Sequence, residues 1–390
     1  MTSSPKPARP APRAERPEVI VHVFGRTDVG RTREHNEDAF LVADLTTGNA
    51  SLQEEVRTHV VGERGSLFMV ADGLGGAAAG EVASEMAIAT VFEEMMERWA
   101  NTSDTDPMAF AAALKAAAEI TNQRIYDYAH EHPEHRGLGT TATVAGVLGD
   151  TLYLAQVGDS RAYLLRSGKA IQITKDQSLT QRLVEAGELT PEEAERSERR
   201  NIILQALGPE PAVKVDLTHQ QLRRGDILVL CTDGLSGLVS RDEICEVMCE
   251  IPDLVAACRE LIDRANEAGG PDNITVVAAQ FDGEGLIEGS DEDHVGHAVY
   301  ALPGESPTGP DFTELDAEMG IRTSEVPRLI LPPATRRMSG GPSNRALILA
   351  VAALLVLATV LVAVRIFQDP QPAPSEQRPD SAAAGTPARP

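Results

Sequence analysis

Val70–Gly80 reads VADGLGGAAAG, and two incompatible folds can be built around it. Gly73, Gly75 and Ala78 satisfy the spacing G-x-G-x-x-G/A, an apolar run precedes them, and Glu93 follows about twenty residues on. That is the pattern of a loop that seats a dinucleotide on a helix N-terminus. Such a fold needs a helix and then a parallel strand carrying the acid. Glu93 falls instead inside Glu81–Trp99, a stretch rich in Ala, Glu and Met that reads as one long helix. The distinguishing residue is Asp72, a carboxylate ending the apolar run LFMVA with glycine directly behind it.

The same arrangement recurs. ILVLCTDG ends a second strand at Asp233-Gly234, and Asp272-Asn273 precedes the strand ITVVAAQF. Asn36-Glu37-Asp38 precedes AFLVAD, and Asp159 lies between two strands in AQVGDSRAYLL. One Asp-Gly turn is ordinary, because both residues favour turns for backbone reasons alone. Five acid-bearing strand ends in one domain are different: converging carboxylates repel, and a cation compensates them. An all-oxygen donor set suits Mg²⁺ or Mn²⁺ and disfavours zinc. Glycine after Asp72 lets the backbone carbonyl approach an ion closely.

Around these ends, residues 18–283 read as one domain. Strands are expected at Val19–Phe24, Ala39–Asp44, Ser66–Val70, Thr140–Val147, Thr151–Gln156, Ala162–Arg166, Asp226–Leu230 and Ile274–Phe281. A second long helix is expected over Pro107–His130. Residues 1–17, rich in Pro, Arg and Ala, read as disordered. The net charge of −24 speaks against a nucleic-acid partner. Much of it is local: Glu284–Glu325 holds eleven acidic residues and one basic residue, Arg322, so 284–345 reads as an acidic linker ending in a basic stretch. The four cysteines show no C-x-x-C pair and read as free thiols. Ala346–Val364, ALILAVAALLVLATVLVAV, is long and apolar enough for one bilayer span. The expected transmembrane helix is 346–367, with 368–390 a short Pro/Ala-rich tail. Arg328, Arg336, Arg337 and Arg345 on its N-terminal side predict a single-pass protein of the cell membrane whose globular domain faces the cytoplasm.

Six motifs in order, R-x-x-N-E-D (Arg33–Asp38), V-A-D-G-x-G-G (Val70–Gly76), G-T-T-A-T (Gly139–Thr143), V-G-D-S-R-A-Y (Val157–Tyr163), T-D-G-L (Thr232–Leu235) and D-N-I-T-V (Asp272–Val276), resemble the series of the metal-dependent PP2C-type protein phosphatases, bacterial branch. The resemblance runs from about residue 20 to 282. It implies an α+β fold, a four-layer αββα sandwich of two antiparallel sheets flanked by helices, with two Mn²⁺ or Mg²⁺ ions at one end. It implies that Asp72 bridges both ions, that Glu37 and the Gly73 carbonyl complete one site, and that Asp233 and Asp272 complete the other. Asp38 would hold metal-bound water, Asp159 would join a weaker third site, and Arg33 would clamp the substrate phosphate, a task suited to a planar guanidinium. The implied reaction is hydrolysis of phosphoserine and phosphothreonine on cytosolic proteins by a metal-bridged hydroxide. The implied partners are phosphorylated proteins, including a Ser/Thr protein kinase and its substrates.

Two positions depart from the pattern. Many members carry His where Leu74 stands, which leaves the general acid unassigned; His35 lies in sequence beside the candidate ligands Glu37 and Asp38. The family's usual D-H-S is here Asp176-Gln177-Ser178. Lys169–Gly208 matches a flap beside the active site, in which Arg196, Arg199 and Arg200 read as a solvated face. The rival reading from another class is an inert module that binds phosphoproteins or a regulatory partner without turnover.

Overall fold

The computed structural model describes residues 17–51, 55–75, 79–135, 137–290 and 293–304. Its first sheet runs β10-β9-β12-β13-β1-β4, formed by β1 (Ile20–Asp28), β4 (Arg57–Val60), β9 (Arg161–Arg166), β10 (Lys169–Gln172), β12 (Ile227–Cys231) and β13 (Ile274–Asp282). The second runs β11-β8-β7-β5-β2-β3, formed by β2 (Asp38–Asp44), β3 (Asn49–Ser51), β5 (Ser66–Leu74), β7 (Ala142–Leu148), β8 (Thr151–Val157) and β11 (Asp216–Gln221). The short β6 (Gly139–Thr140) pairs with the end of β5. All strand pairs within these sheets are antiparallel. The helices are α1 (Ala79–Met95), α2 (Pro107–Glu131), α3 (Leu179–Glu185), α4 (Pro191–Glu195), α5 (Asp233–Ser236), α6 (Arg241–Glu250) and α7 (Leu254–Glu267).

Antiparallel strands usually alternate apolar and polar residues because one face meets water. Here the central strands carry apolar residues on both faces, because both faces are covered. In β5, Phe68 and Val70 enter the core between the sheets, while Leu67, Met69 and Ala71 pack with Ala87, Val91 and Leu114 of α1 and α2. In β13, Val277, Ala279 and Phe281 face the inter-sheet core, and Val276 and Ala278 face Leu261 and Ile262 of α7. The period of two thus divides the buried apolar residues of these strands among three cores, the arrangement of the expected four layers.

Element boundaries follow local chemistry. Asp106 caps α2 through the Met108 amide, with Pro107 in the first turn, and Ser240 with Glu243 forms a capping box on α6. The packing continues past residue 283. Leu286 and Val295 are buried against the inter-sheet core, the Arg223 guanidinium takes both oxygens of Asp293 at 3.1 Å, and Tyr300 sits edge-on to Tyr153. Residues that the sequence places in the linker therefore cover the β11 edge. Lys169–Gln172, expected in the flap, forms an edge strand. Among the described residues no helix is long and apolar enough to cross a membrane. The expected segments 1–16 and 305–390, including 346–367, lie outside the described residues.

Candidate metal-dependent active site

Register brings the acids together. β2 and β5 pair with Asp38 opposite Asp72, so both carboxylates leave the same end of one sheet. Asp233 opens α5 directly after β12, and Asp272 lies just before β13, at the matching end of the other sheet. Asp159 sits in the turn between β8 and β9. With Arg161, Asp176, Arg200 and Gly234, residues Asp159, Asp233 and Asp272 line an open cleft of about 260 Å³. Of the three flap arginines named above, Arg200 lines this cleft.

Close backbone contact fixes Glu37. The Gly73 amide donates to the Glu37 carbonyl at 3.1 Å. A Cβ on Gly73 would lie 2.2 Å from the Gly80 oxygen and 2.5 Å from the Glu37 oxygen, and one on Gly80 would lie 2.8 Å from the Glu37 carboxyl carbon. Glycine at both positions is what lets β5, the start of α1 and Glu37 meet. From the other side, Asn273 Oδ1 accepts from the Glu37 amide at 2.8 Å, while its Nδ2 donates to the carbonyls of Val29 and His35. The amide of Asn273 thereby ties the Arg33–Asp38 loop to β13.

Asp38 is held by hydroxyls. Thr232 and Thr275 donate to its Oδ2 at 2.8 and 2.7 Å, whereas Oδ1 is buried without a hydrogen-bond partner. Thr141 Oγ1 accepts from the Asp72 amide at 3.0 Å, and Thr140 Oγ1 donates to the Asp72 carbonyl at 2.9 Å. Arg33 stands at the rim, 46% exposed, its Nη2 2.9 Å from Asp272 Oδ2 and its Nη1 3.8 Å from Glu37 Oε2. The sequence reading assigned no role to Asn273 or these four threonines. Their signal was there, as hydroxyls and an amide inside otherwise apolar strand motifs.

The electrostatics are those of crowded anions. Burial, with Asp233 and Asp272 nearby, pushes Asp38 up to about 7 despite the two hydroxyl donors. Burial and then Asp233 and Asp176 push Asp159 up to about 8. Asp72 is raised well above the usual carboxylate range by burial and by Asp38, Asp233, Asp159 and Asp272, and Asp233 is raised by burial and Asp272. Among the described residues these groups are not already gathered three to a point: Asp272 is turned to Arg33 and Asp38 to its threonines. The donors nevertheless fit hard divalent cations. They are all oxygen, mutually repelling, and two of them, Asp38 Oδ1 and Asp159 Oδ1, are buried with no partner. Each expected site residue lies at this end of the molecule. Leu74 is half-buried where β5 pairs with Gly139, and His35 is exposed.

Gln177, the second departure, is structural. Its backbone amide donates to the Gly158 carbonyl and its Oε1 accepts from the Gly158 amide, both at 2.9 Å. Gly158, at φ +100°, immediately precedes Asp159 and has no room for a side chain beside Thr141. The Gln177 carbonyl accepts from Leu204 at 2.8 Å, and Leu179 donates to Ile202 at 2.9 Å. The two ends of the flap are thus joined beneath it, at the backbone that carries Asp159. Gln177→Leu leaves the Gly158 amide buried and unpaired, a loss of about 1–3 kcal/mol. The melting temperature is expected to fall about 2–4 °C for each of those kcal/mol; an unchanged melting curve would refute the role.

A protein phosphatase 2C family model matches residues 47–273. The chain is 38% identical over 263 residues to the Mycobacterium tuberculosis serine/threonine protein phosphatase PstP, covering 67% of this chain and 45% of that protein, so it spans about half the length of this relative. It is 35% identical over 262 residues to the serine/threonine phosphatase Stp of Listeria monocytogenes, covering 67% of this chain and 96% of that one. The PstP catalytic domain, solved with two manganese ions, superposes with a TM-score of 0.55 at 36% identity, over 68% of this chain and 99% of that one. Carboxylate-bearing strand ends, layered sheets and sequence kinship agree: the chain belongs to the protein phosphatase 2C family, in its bacterial, metal-dependent serine/threonine branch.

Proposed function

We propose that the chain hydrolyses phosphoserine and phosphothreonine on cytosolic proteins, opposing Ser/Thr kinases. The convergence of Asp38, Asp72, Asp159, Asp233 and Asp272 at one end of the two sheets carries this reading. Glu37, Asp72 and the Gly73 carbonyl would hold one Mn²⁺ or Mg²⁺, and Asp72, Asp233 and Asp272 the other, with Asp159 toward a third. When bound, such ions supply an activated water and neutralise phosphoryl charge. The chain's own residues do the rest. Arg33, oriented by Asp272, pairs with two phosphate oxygens at the exposed rim. Asp38, with Oδ2 locked by Thr232 and Thr275, keeps Oδ1 free to orient the attacking water and accept its proton. The side chain of Leu74 offers no proton to the leaving alcohol.

Hydrolysis of an aryl phosphate and a phosphothreonine peptide by the full chain tests this. Turnover is expected with Mn²⁺, and none with chelator or in Asp233→Asn. Metal-loaded wild type that binds phosphopeptide without turnover would establish the inert module instead. We also propose that 346–367 anchors the chain by a single span, with the phosphatase domain cytoplasmic, on the strength of its apolar sequence. Membrane sedimentation should then be lost on deleting 346–390; if it persists, the anchor is elsewhere.

A further inference from the structure

Two of the four cysteines face each other away from the carboxylates. Cys245 and Cys249 lie one turn apart on α6 with their sulfurs 3.9 Å apart; Cys249 is exposed and Cys245 half-buried. The Cys245 thiol also donates to the Gly168 carbonyl at 3.3 Å, in the turn between β9 and β10. Cys231 and Cys258 are buried in the core against α6 and α7.

The pair is badly placed for a disulfide. Side chains four apart on a helix have Cβ atoms about 5–6 Å apart, whereas a disulfide needs about 3.5–4.5 Å. Closing it would unwind a turn of a capped helix. Two thiolates on one tetrahedral ion have no such conflict, since bonds of about 2.3 Å place the sulfurs about 3.8 Å apart. Soft sulfur donors select soft cations, in contrast to the oxygen cluster at the sheet ends.

We propose that Cys245 and Cys249 form a two-thiolate chelate for a soft, sulfur-seeking cation of the Zn²⁺, Cd²⁺ or Cu⁺ class, separate from the catalytic centre. Binding releases both thiol protons, and the thiolates donate their electron pairs to the ion. Among the described residues no third His, Cys, Asp or Glu completes the set, so water fills the outer positions. On binding, the Gly168 carbonyl gives up the Cys245 proton as a partner.

The test is Cd²⁺ titration of the reduced full chain in excess Mg²⁺, followed by thiolate-to-cadmium absorption, which carboxylates do not produce. One equivalent should saturate the band and shield the exposed Cys249 thiol from a bulky thiol reagent. Cys245→Ser and Cys249→Ser should each weaken Cd²⁺ binding by more than about tenfold, with unchanged far-ultraviolet circular dichroism. Absence of the band, or a band undiminished in both variants, overturns the proposal. So does loss of two hydrogens under a mild disulfide oxidant with the helical signal intact, which would make the pair a disulfide site.

Discussion

Asp72→Asn is expected to lower kcat for a phosphothreonine peptide on the order of 10³-fold and, in chelated protein at mildly alkaline pH, to raise the melting temperature. Both effects have one cause. Asp72 lies opposite Asp38 across the β2–β5 pair and feels four other carboxylates. In the proposed site its charge would help to hold the two cations. Without cations, that charge is buried among like charges and opposes folding. Asn keeps the shape, and the backbone contacts to Thr140 and Thr141 involve only the amide and carbonyl of residue 72. A variant that keeps wild-type turnover removes Asp72 from the centre. One that melts lower than chelated wild type contradicts the crowded-anion account.

The second expectation concerns pH. Asp38 and Asp159 have ordinary values of 3.8 and folded-state values of about 7 and about 8. The folded chain therefore binds these protons more tightly than the unfolded chain. Their contribution to stability is fully present below about pH 4 and is lost as pH rises through about 7 and 8. In chelator, the melting temperature should fall from about pH 5 to about pH 8, by on the order of 10–20 °C. Saturating Mn²⁺ should remove most of that fall, because the ion binds only the folded arrangement. Calorimetry across this range, with and without Mn²⁺, checks the sign. A chelated protein that grows more stable toward alkaline pH would show that the carboxylates do not repel as described.

The acids were legible in the sequence because each sits at a chemical boundary, an apolar run meeting a turn. Their supports were not. Thr232 and Thr275 read equally well as strand formers, since β-branched residues favour strands with or without a hydrogen-bonding role. Only the pairing of β12 with β13 puts both hydroxyls on one oxygen of Asp38. β11, with sequence DLTHQQ, has no apolar alternation. It is a strand because β8 pairs with it on one edge and Val299 bridges to it at Thr218. The covering segment was hidden by composition: among acids and glycines, a few anchors such as Leu286, Val295 and Tyr300 suffice to dock it.

The joined base of the flap bears on how such a protein changes over time. The bonds from Gln177 to Gly158 and to Leu204 hold the entry and exit of the excursion together regardless of what lies between Leu179 and Ile202. Closure entropy grows only slowly with length once the ends are pinned. The excursion can then be lengthened, shortened or exchanged without loosening the backbone that carries Asp159, while Arg200, which lines the acid cleft, is exchanged with it. On the proposed function, substrate preference would drift in that exchangeable insert while the acid-bearing strand ends stay fixed.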